Sequence, residues 1–312
     1  MQKTFLVSGL TLLLTSIGSI QNHQPDDVSL AFQEFKKKYQ KSYTIPEEIF
    51  RRVIFRSNYE KIQAHNSDKT QTYSVDVNQF TDFSQDEFVA IQLSFIPPSG
   101  WKPSDEEVIQ VGVEPNDSVD WRSKVRVKNQ QWCGAGWAFS AVGAVEAFFK
   151  IKKNLDYSLS EQYLIDCDRT KNKGCLGGHP DLGIKYIANY GIYSESAYIY
   201  AGDRNQVCTQ LYGIHKIKNS GVQSIEKTGL KAAIKEYPIT VSVDATNWNH
   251  YKEGVFNNCN KNINHVVLAV GYDSKGNWII KNSWGTTWGE QGFMTLKAGD
   301  TCGVTQMAFK AI

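Results

Sequence analysis

Six cysteines are the side chains in this sequence best suited to nucleophilic or metal chemistry. They lie far apart, at Cys133, Cys167, Cys175, Cys208, Cys259 and Cys302. Zinc sites use paired short spacings, such as two cysteines separated by two residues, and none is present, so we expect no metal. In an exported protein the even number favours three disulfides over free buried thiols, although spacing alone does not choose the pairing. If all six are bridged, no thiolate remains for attack.

The segment around the first of these cysteines reads NQQWCGAGWAFS and spans residues 129–140. It resembles the nucleophile region of papain-family cysteine proteases, in which the residue before the second tryptophan is the attacking cysteine. In this sequence that residue is Gly136, which has no side chain. The resemblance also places Gly136 at the N-terminus of a helix. That position lowers the pKa of a thiol and has no such use for a glycine.

Further motifs extend the resemblance over almost the whole region from Val119 to Ile312. They are VDWR at 119–122, LSEQ at 159–162, DCD at 166–168, GCLGG at 174–178, NH at 264–265, VGY at 270–272, KNSWG at 281–285 and WGE at 288–290. Because they occur in order, the resemblance does not depend on any single motif. It implies an α+β, two-lobed papain-like fold, with a helical lobe and a β-barrel-like lobe that meet at a cleft.

A papain-type site needs an imidazole beside the nucleophile, a group that orients the imidazole, and donors for the developing oxyanion. By resemblance His265 is the base and Asn282 orients it, both within about 130–150 residues of the nucleophile position. Gln130 would donate its side-chain amide to the oxyanion, together with the backbone N–H of Gly136. Taken singly these residue types are usually structural, and only their ordered combination marks them. Trp284 is expected to shield the hydrogen bond between His265 and Asn282.

No other side chain is an obvious replacement for the missing cysteine. Ser140 would lie one helical turn beyond position 136. The resemblance implies disulfides that use every sulfur, namely Cys133–Cys175, Cys167–Cys208 and Cys259–Cys302. A water activated by His265 would retain only an acceleration on the order of 10³ to 10⁴ over the uncatalysed reaction.

The substrate cleft is predicted to survive without this chemistry. Gly177 and Gly178 have no side chains, so an extended peptide could lie close to their backbone and pair with it. The resemblance assigns the main specificity pocket to Pro180, Ser242, Ile263, Val266 and Met307. Most of these are apolar, so the pocket would prefer a hydrophobic or aromatic side chain. The alternative is that these residues are ordinary members of the hydrophobic core. His179 lies beside the cleft without an assigned role.

The elements that precede these motifs are predicted to be helical. Apolar residues between about residues 30 and 66 recur with helical periodicity among many charges. One face carries residues in steps of three or four: Glu47, Arg51, Phe55, Asn58, Ile62 and Asn66. They match the ERFNIN pattern of cathepsin L-like propeptides, and Asn78, Phe80 and Asp82 resemble the segment that follows it. The resemblance implies a helical inhibitory prodomain.

The N-terminus reads as a secretion signal, with Lys3, an apolar stretch from Phe5 to Leu14, and small residues at 16–18. The apolar stretch is too short for the alternative, a membrane anchor. A change of composition between about residues 96 and 116 predicts an exposed connector. We therefore expect a signal peptide at 1–18, a helical propeptide at 19–110 and a papain-like peptidase domain at 111–312. Export would place the protein in the secretory pathway, in a lysosome or outside the cell.

Within the last region the spacing of apolar residues predicts a helix after Trp137 that continues to Phe149. Strand-like segments follow at 239–243, 266–270, 278–280 and 292–296, separated by turn residues. This order, with helices first and strands later, agrees with the two lobes that the resemblance implies.

Composition and charge exclude some partners. Lysine and arginine (34) nearly balance aspartate and glutamate (32), without a long run of like charge, so neither nucleic acid nor a membrane is expected to bind. The hydrophobic fraction of 41% is sufficient for a substantial core. We expect a monomer without cofactors, whose partners are peptides or proteins and its own propeptide.

Three functions are consistent with the sequence. The favoured one is a secreted or lysosomal-type cathepsin L-like homologue that binds peptides or proteins without cutting them. The second is an active cathepsin L-like endopeptidase that selects a hydrophobic P2 residue, with Gly136 an engineered or erroneous substitution. In the third, the propeptide inhibits active relatives and the remainder is passive.

Overall fold

The computed structural model describes residues 27–104, 109–169, 171–202 and 207–312, so the predicted signal peptide lies outside it. Residues 27–104 are here named the prodomain and residues 119–312 the main domain. Across the described ranges, no helix combines the length and the apolar character that crossing a membrane requires.

The prodomain consists mainly of helices, as the periodicity predicts. Its elements are α1 (Asp27–Lys38), α2 (Ile45–Ser67), β1 (Tyr73–Val75) and α3 (Gln85–Gln92). Helices α1 and α2 pack through a buried aromatic cluster of Phe32, Phe35 and Phe55. Arg51 donates to the Glu87 carboxylate at 2.8 Å, which ties α2 to α3. The predicted helical prodomain is therefore confirmed.

The helical lobe of the main domain is built on α4 (Gly136–Lys152), α5 (Glu161–Cys167) and α6 (Pro180–Tyr190). Most residues of α4 are buried, which accounts for its nearly continuous apolar sequence. The helix predicted after Trp137 is confirmed and begins one residue earlier, at Gly136. The short 3-10 helices among the described residues lie at Arg122–Lys124, Gly174–Leu176, Lys227–Gly229 and Thr301–Gly303.

The second lobe is a largely antiparallel sheet with one further helix, α7 (Leu230–Glu236). Its strands are β2 (Val119–Asp120), β3 (Val222–Ile225), β4 (Ile239–Val243), β5 (Tyr251–Phe256), β6 (His265–Tyr272), β7 (Trp278–Lys281), β8 (Phe293–Leu296) and β9 (Ala308–Ala311). The strand order is β1-β5-β8-β7-β6-β4-β9-β3, with β2 paired to β6 and with β5 and β8 parallel. The four predicted strands correspond to β4, β6, β7 and β8, and the two-lobed α+β fold is confirmed.

The prodomain contributes a strand to the sheet of the main domain, which the sequence did not predict. β1 pairs with β5 in antiparallel register, with Tyr73 opposite Gly254. Gly254 has a positive φ of 95°, and a β-carbon there would lie 2.7 Å from the carbonyl oxygen of Thr72. A glycine is needed at this position because the backbone of the prodomain approaches so closely.

The two lobes meet where α4 packs against β6. This contact places the first residue of the helix, Gly136, beside the first residue of the strand, His265. The cleft between the lobes begins there, and the prodomain runs into it after α3.

Candidate active site

Gly136 lies at the N-terminus of α4, where the resemblance to papain-type enzymes places the nucleophile. A β-carbon at this position would lie 2.6 Å from Cε1 and 2.8 Å from Nδ1 of His265, and 3.2 Å from the carbonyl oxygen of Val266. Separations below 3.0 Å are essentially never found around real β-carbons. The imidazole therefore occupies part of the volume that the first atom of any side chain at position 136 would need.

His265 is held in this position by two neighbours. Its Nε2 lies 3.0 Å from Oδ1 of Asn282, which follows β7 directly. The same Oδ1 accepts the backbone N–H of Ser283 at 2.8 Å, so Oδ1 is the acceptor and Nε2 carries the proton. The ring also stacks on Trp284, with centroids 5.1 Å apart and an interplanar angle of 19°. The lone pair of Nδ1 is thereby directed towards Gly136.

The electrostatics of His265 are those of a buried neutral imidazole. Burial lowers its pKa to about 4, against the opposing effect of the Asn282 hydrogen bond. A partner thiolate would favour the imidazolium, and position 136 supplies none. The ring is therefore uncharged at pH 7 and at mildly acidic pH. Residue 136 is a glycine, so it has no side-chain proton that the ring could accept.

Two other sequence candidates for attack are directed elsewhere. The hydroxyl of Ser140 is buried and donates to the carbonyl oxygen of Val267 at 2.8 Å. Cys133 is bonded to Cys175, and the described part of the chain contains no free cysteine. The remaining pairs, Cys167–Cys208 and Cys259–Cys302, are also those that the resemblance implies.

Gln130 retains the orientation that an oxyanion donor needs. Its side-chain Oε1 accepts from the hydroxyl of Ser283 at 2.6 Å, which fixes the amide and turns Nε2 inwards. Nε2 donates to the carbonyl oxygen of Cys133 at 3.0 Å and to that of Gln92 in the prodomain at 3.2 Å. A peptide carbonyl of the prodomain therefore already uses the predicted oxyanion donor.

The prodomain segment Gln92–Phe95 fills the cleft beside this donor. The side-chain amide of Gln92 donates to the carbonyl oxygen of Gln131 at 2.7 Å. The backbone N–H of Phe95 donates to the carbonyl oxygen of Asn264 at 3.0 Å. The hydroxyl of Ser94 donates to the carbonyl oxygen of Gly134. The cleft thus binds an extended segment through backbone and side-chain hydrogen bonds from both lobes.

The two predicted cleft glycines have different environments. A β-carbon at Gly177 would lie 2.0 Å from the carbonyl oxygen of Ser94, so the bare backbone there admits the bound segment. A β-carbon at Gly178 would instead lie 2.7 Å from the ring of Trp137 and from Oδ1 of Asn172. Gly178 is required by packing inside the helical lobe, whereas Gly177 faces the peptide.

Three of the five predicted pocket residues are linked directly through β4. Val266 on β6 is the cross-strand partner of Ser242 on β4, and the N–H of Ser242 donates to the carbonyl oxygen of Met307 at 3.0 Å. Ile263 is buried just before β6, and Pro180 is buried at the start of α6.

The aromatic ring of the bound segment lies in this region. Phe95 is 6% exposed and belongs to the same large apolar cluster as Ile263 and Val266, and Met307 packs against that cluster. Its backbone N–H bonds to Asn264, which lies between Ile263 and His265 in the chain. The ring of His179 meets Phe95 edge-on at a centroid distance of 5.6 Å. His179, to which the sequence assigned no role, therefore borders the site occupied by this side chain.

Two residues of the cleft were not identified from the sequence. Gln131 accepts the Gln92 amide, and Trp132 packs against the prodomain. The only signal in the sequence is that Trp132 places a large aromatic side chain in a loop next to the nucleophile position.

Comparisons with known proteins identify the family of each of the two domains. Residues 115–312 match the family model described as papain family cysteine protease, and residues 32–88 match that of the cathepsin propeptide inhibitor domain (I29). The chain is 36% identical over 310 residues to a putative cathepsin L 3 of Paramecium tetraurelia, with 99% of each chain covered. It is 38% identical over 299 residues to cathepsin K of Mus musculus, covering 88% of this chain and 90% of that protein.

Solved structures give the same result for the fold. The digestive procathepsin L 3 of Tenebrio molitor larval midgut superposes with a TM-score of 0.83 at 36% identity, covering 92% of this chain and 99% of that one. A recombinant stem bromelain precursor superposes with a TM-score of 0.80 at 33% identity, covering 92% and 99%. Both are precursor proteins by their descriptions.

Proposed function

We propose that this chain, which belongs to the papain family of cysteine proteases and carries a cathepsin propeptide inhibitor domain, binds peptides or proteins in its cleft without cutting them. The observation that carries this proposal is the contact at Gly136. The side chain that would attack is absent, and the imidazole of His265 lies where its β-carbon would have to be.

The chemical argument concerns what remains of the catalytic group. A base and an orienting amide accelerate hydrolysis by activating a nucleophile, and neither His265 nor Asn282 attacks a carbonyl itself. Residual catalysis from binding and oxyanion stabilisation is on the order of 10³ to 10⁴ over water, far below that of a working protease. Peptide hydrolysis at a useful rate is therefore not expected.

The capacity to bind is supported by the contacts of the prodomain segment. Gln130 donates to a peptide carbonyl, Asn264 accepts from a peptide N–H, and Gly177 allows close backbone approach. Phe95 indicates that the region of Ile263 and Val266 takes an aromatic side chain. Ligands of this cleft would be extended segments with a hydrophobic or aromatic residue at P2.

We place the protein in the secretory pathway, with a lysosome or the cell exterior as its destination. The three disulfides fit an oxidising compartment, and residues 1–18 have the composition of a signal peptide. The corresponding division is a propeptide at 19–110 and a peptidase-type domain at 111–312.

Binding can be tested separately from cleavage. A protease recognition sequence inserted between Ser99 and Gly100 allows the prodomain to be cut off and removed under mild denaturation. A fluorescein-labelled peptide with phenylalanine at P2 is then titrated and followed by anisotropy and mass spectrometry. We expect saturable binding with the peptide intact.

The matched control is the same peptide with aspartate at P2. It should bind at least about tenfold weaker, because an unpaired charge would have to enter an apolar site. Equal binding of both peptides, or appearance of cleaved peptide, would contradict the proposal.

A further inference from the structure

Helix α2 of the prodomain presents a row of apolar side chains to solvent. Ile45, Ile49 and Val53 follow one another in steps of four, so they lie along one face of the helix, one turn apart. They are 82%, 65% and 65% exposed, whereas the buried residues of α2, such as Phe55, lie on another face. Monomeric proteins rarely leave a contiguous apolar surface of this kind uncovered.

A fourth exposed apolar side chain, Phe50, widens this row. The guanidinium of Arg51 lies 5.5 Å from the centre of its ring. Arg51 in turn donates to the Glu87 carboxylate at 2.8 Å, so the ring lies against a side chain that is itself fixed within the prodomain. The four residues, here named the α2 patch, are Ile45, Ile49, Phe50 and Val53.

Two opposite charges border the α2 patch along one edge. Glu48 and Arg52 are one helical turn apart. Lys36 donates to Oε1 of Glu48 at 2.6 Å, and the carboxylate stays partly exposed. Arg52 donates to the hydroxyl of Ser29 and has no carboxylate partner among the described residues. A molecule that covers the patch would therefore match it best with an acid and a base at the same spacing.

A second copy of the chain supplies this match. When two α2 helices pack in antiparallel orientation about a two-fold axis at Ile49, Ile45 of each copy faces Val53 of the other. The same edge of each helix then adjoins its counterpart, so that each Glu48 lies within one turn of Arg52 in the other copy. The arrangement has an apolar centre and two symmetric ion pairs at its rim, which is the usual composition of a protein interface.

We propose that the α2 patch is a self-association surface, through which two copies of the full chain form a weak antiparallel dimer. The proposal is independent of the proposed function, because the cleft and Gly136 take no part in it. It departs from the monomer expected from the sequence, since helical periodicity does not show which apolar side chains a folded prodomain leaves exposed. One pair of helices buries less than the roughly 800 Å² per partner of a standard interface, so we expect a dissociation constant on the order of 10 µM.

The test is sedimentation equilibrium of the full chain, from well below to well above this concentration. Ile49→Lys places two like charges at the two-fold axis and should weaken self-association at least about 10-fold. Because Ile49 is exposed, the variant should keep the circular dichroism and thermal unfolding of the parent. The matched control is Ile199→Lys, which changes an exposed isoleucine of the main domain and should leave self-association unchanged.

Charge reversal tests the antiparallel register. Arg52→Glu places each Glu48 against a second acid, and Glu48→Arg places each Arg52 against a second base. Each variant alone should self-associate about 10-fold more weakly than the parent. An equimolar mixture of the two should associate about as strongly as the parent, because every acid then faces a base across the interface.

Three results would overturn the proposal: a parent that is monomeric throughout, a dimer that Ile49→Lys leaves intact, or a mixture that associates no better than its separate variants. Flotation with vesicles of phosphatidylcholine and phosphatidylserine tests the other occupant of an apolar face. A monomeric parent that floats with the vesicles, and an Ile49→Lys variant that does not, would overturn the dimer and assign the α2 patch to a membrane surface.

Discussion

Replacing Gly136 by alanine adds a single carbon atom and tests the contact with His265 directly. That carbon would lie 2.6 Å from the imidazole, whereas ordinary van der Waals contact begins near 3.4 Å, so the ring must retreat by about the difference. The ring is buried, stacked on Trp284 and hydrogen-bonded to Asn282, and has little room to do so.

The magnitude follows from two opposing effects. Overpacking a buried site costs about 1–3 kcal/mol. Replacing glycine by alanine in a helix returns about 0.5–1 kcal/mol, and less at the first residue, which Gly136 is. We therefore expect Gly136→Ala to lower the free energy of unfolding by about 1–2 kcal/mol.

Gly143 supplies a matched control in the same helix. A β-carbon there would lie 3.4 Å from Nζ of Lys281 and 3.6 Å from Leu268, which are ordinary contacts. Gly143→Ala should therefore raise the free energy of unfolding by about 0.5–1 kcal/mol through helix propensity alone.

The assay is guanidinium chloride unfolding of the full chain, repeated in a His265→Ala background. Removal of the imidazole should abolish the penalty of Gly136→Ala, giving a coupling energy of at least about 1 kcal/mol. A Gly136→Ala variant as stable as Gly143→Ala, or a penalty unchanged by His265→Ala, would refute the interpretation that the ring fills the vacated volume.

Three further predictions concern the neighbours of this site and the prodomain. Asn282→Ala leaves the buried N–H of His265 without an acceptor and should cost about 1–3 kcal/mol of unfolding free energy in the same assay; a change within experimental error would argue against the bond. The pKa of His265 in the folded state, about 4, is below its value in the unfolded state. The contribution of His265 to the free energy of unfolding is therefore complete above about pH 6.5 and is lost as the pH falls towards 4. Stability measured across this range should fall by about 3 kcal/mol more in the parent than in His265→Gln, and equal slopes would count against a buried neutral ring. Lys41→Met leaves the buried Asp82 carboxylate with Tyr43 as its remaining side-chain donor and should destabilise the prodomain by about 3–5 kcal/mol, seen as faster proteolysis of α1 and α2; an unchanged rate would show that the ion pair contributes little.

Much of the fold is predictable because its signals are local. The apolar run from Trp137 to Phe149 specifies the central helix, and the β-rich segment Ile239–Val243 specifies a buried strand. The steps from Glu47 to Asn66 place one face of α2 against the rest of the prodomain, as its buried residues show. Such patterns record which face of an element is buried, and they need no knowledge of distant contacts.

The features that the sequence did not reveal depend on contacts between distant segments. β1 has three residues, too few to show alternation, and its pairing with β5 depends on the absence of a side chain at Gly254. The sequence shows that residue 136 has no side chain. Whether the space that a side chain would occupy is empty or filled depends on His265, which lies far along the chain. Likewise, Gly177 and Gly178 are adjacent and identical in type, and only the structure separates the one that faces the peptide from the one that packs on Trp137.

The central claim is that this papain-type cleft binds but does not cut because position 136 lacks a nucleophile. The most direct measurement is turnover of a fluorogenic peptide with a hydrophobic P2 residue, under reducing and mildly acidic conditions, by the parent and by Gly136→Cys after removal of the prodomain. We expect no detectable cleavage by the parent and clear cleavage by Gly136→Cys that iodoacetamide abolishes, at a rate limited by the displacement of His265. Cleavage by the parent that disappears in His265→Ala would contradict the claim, because another attacking group would then be at work.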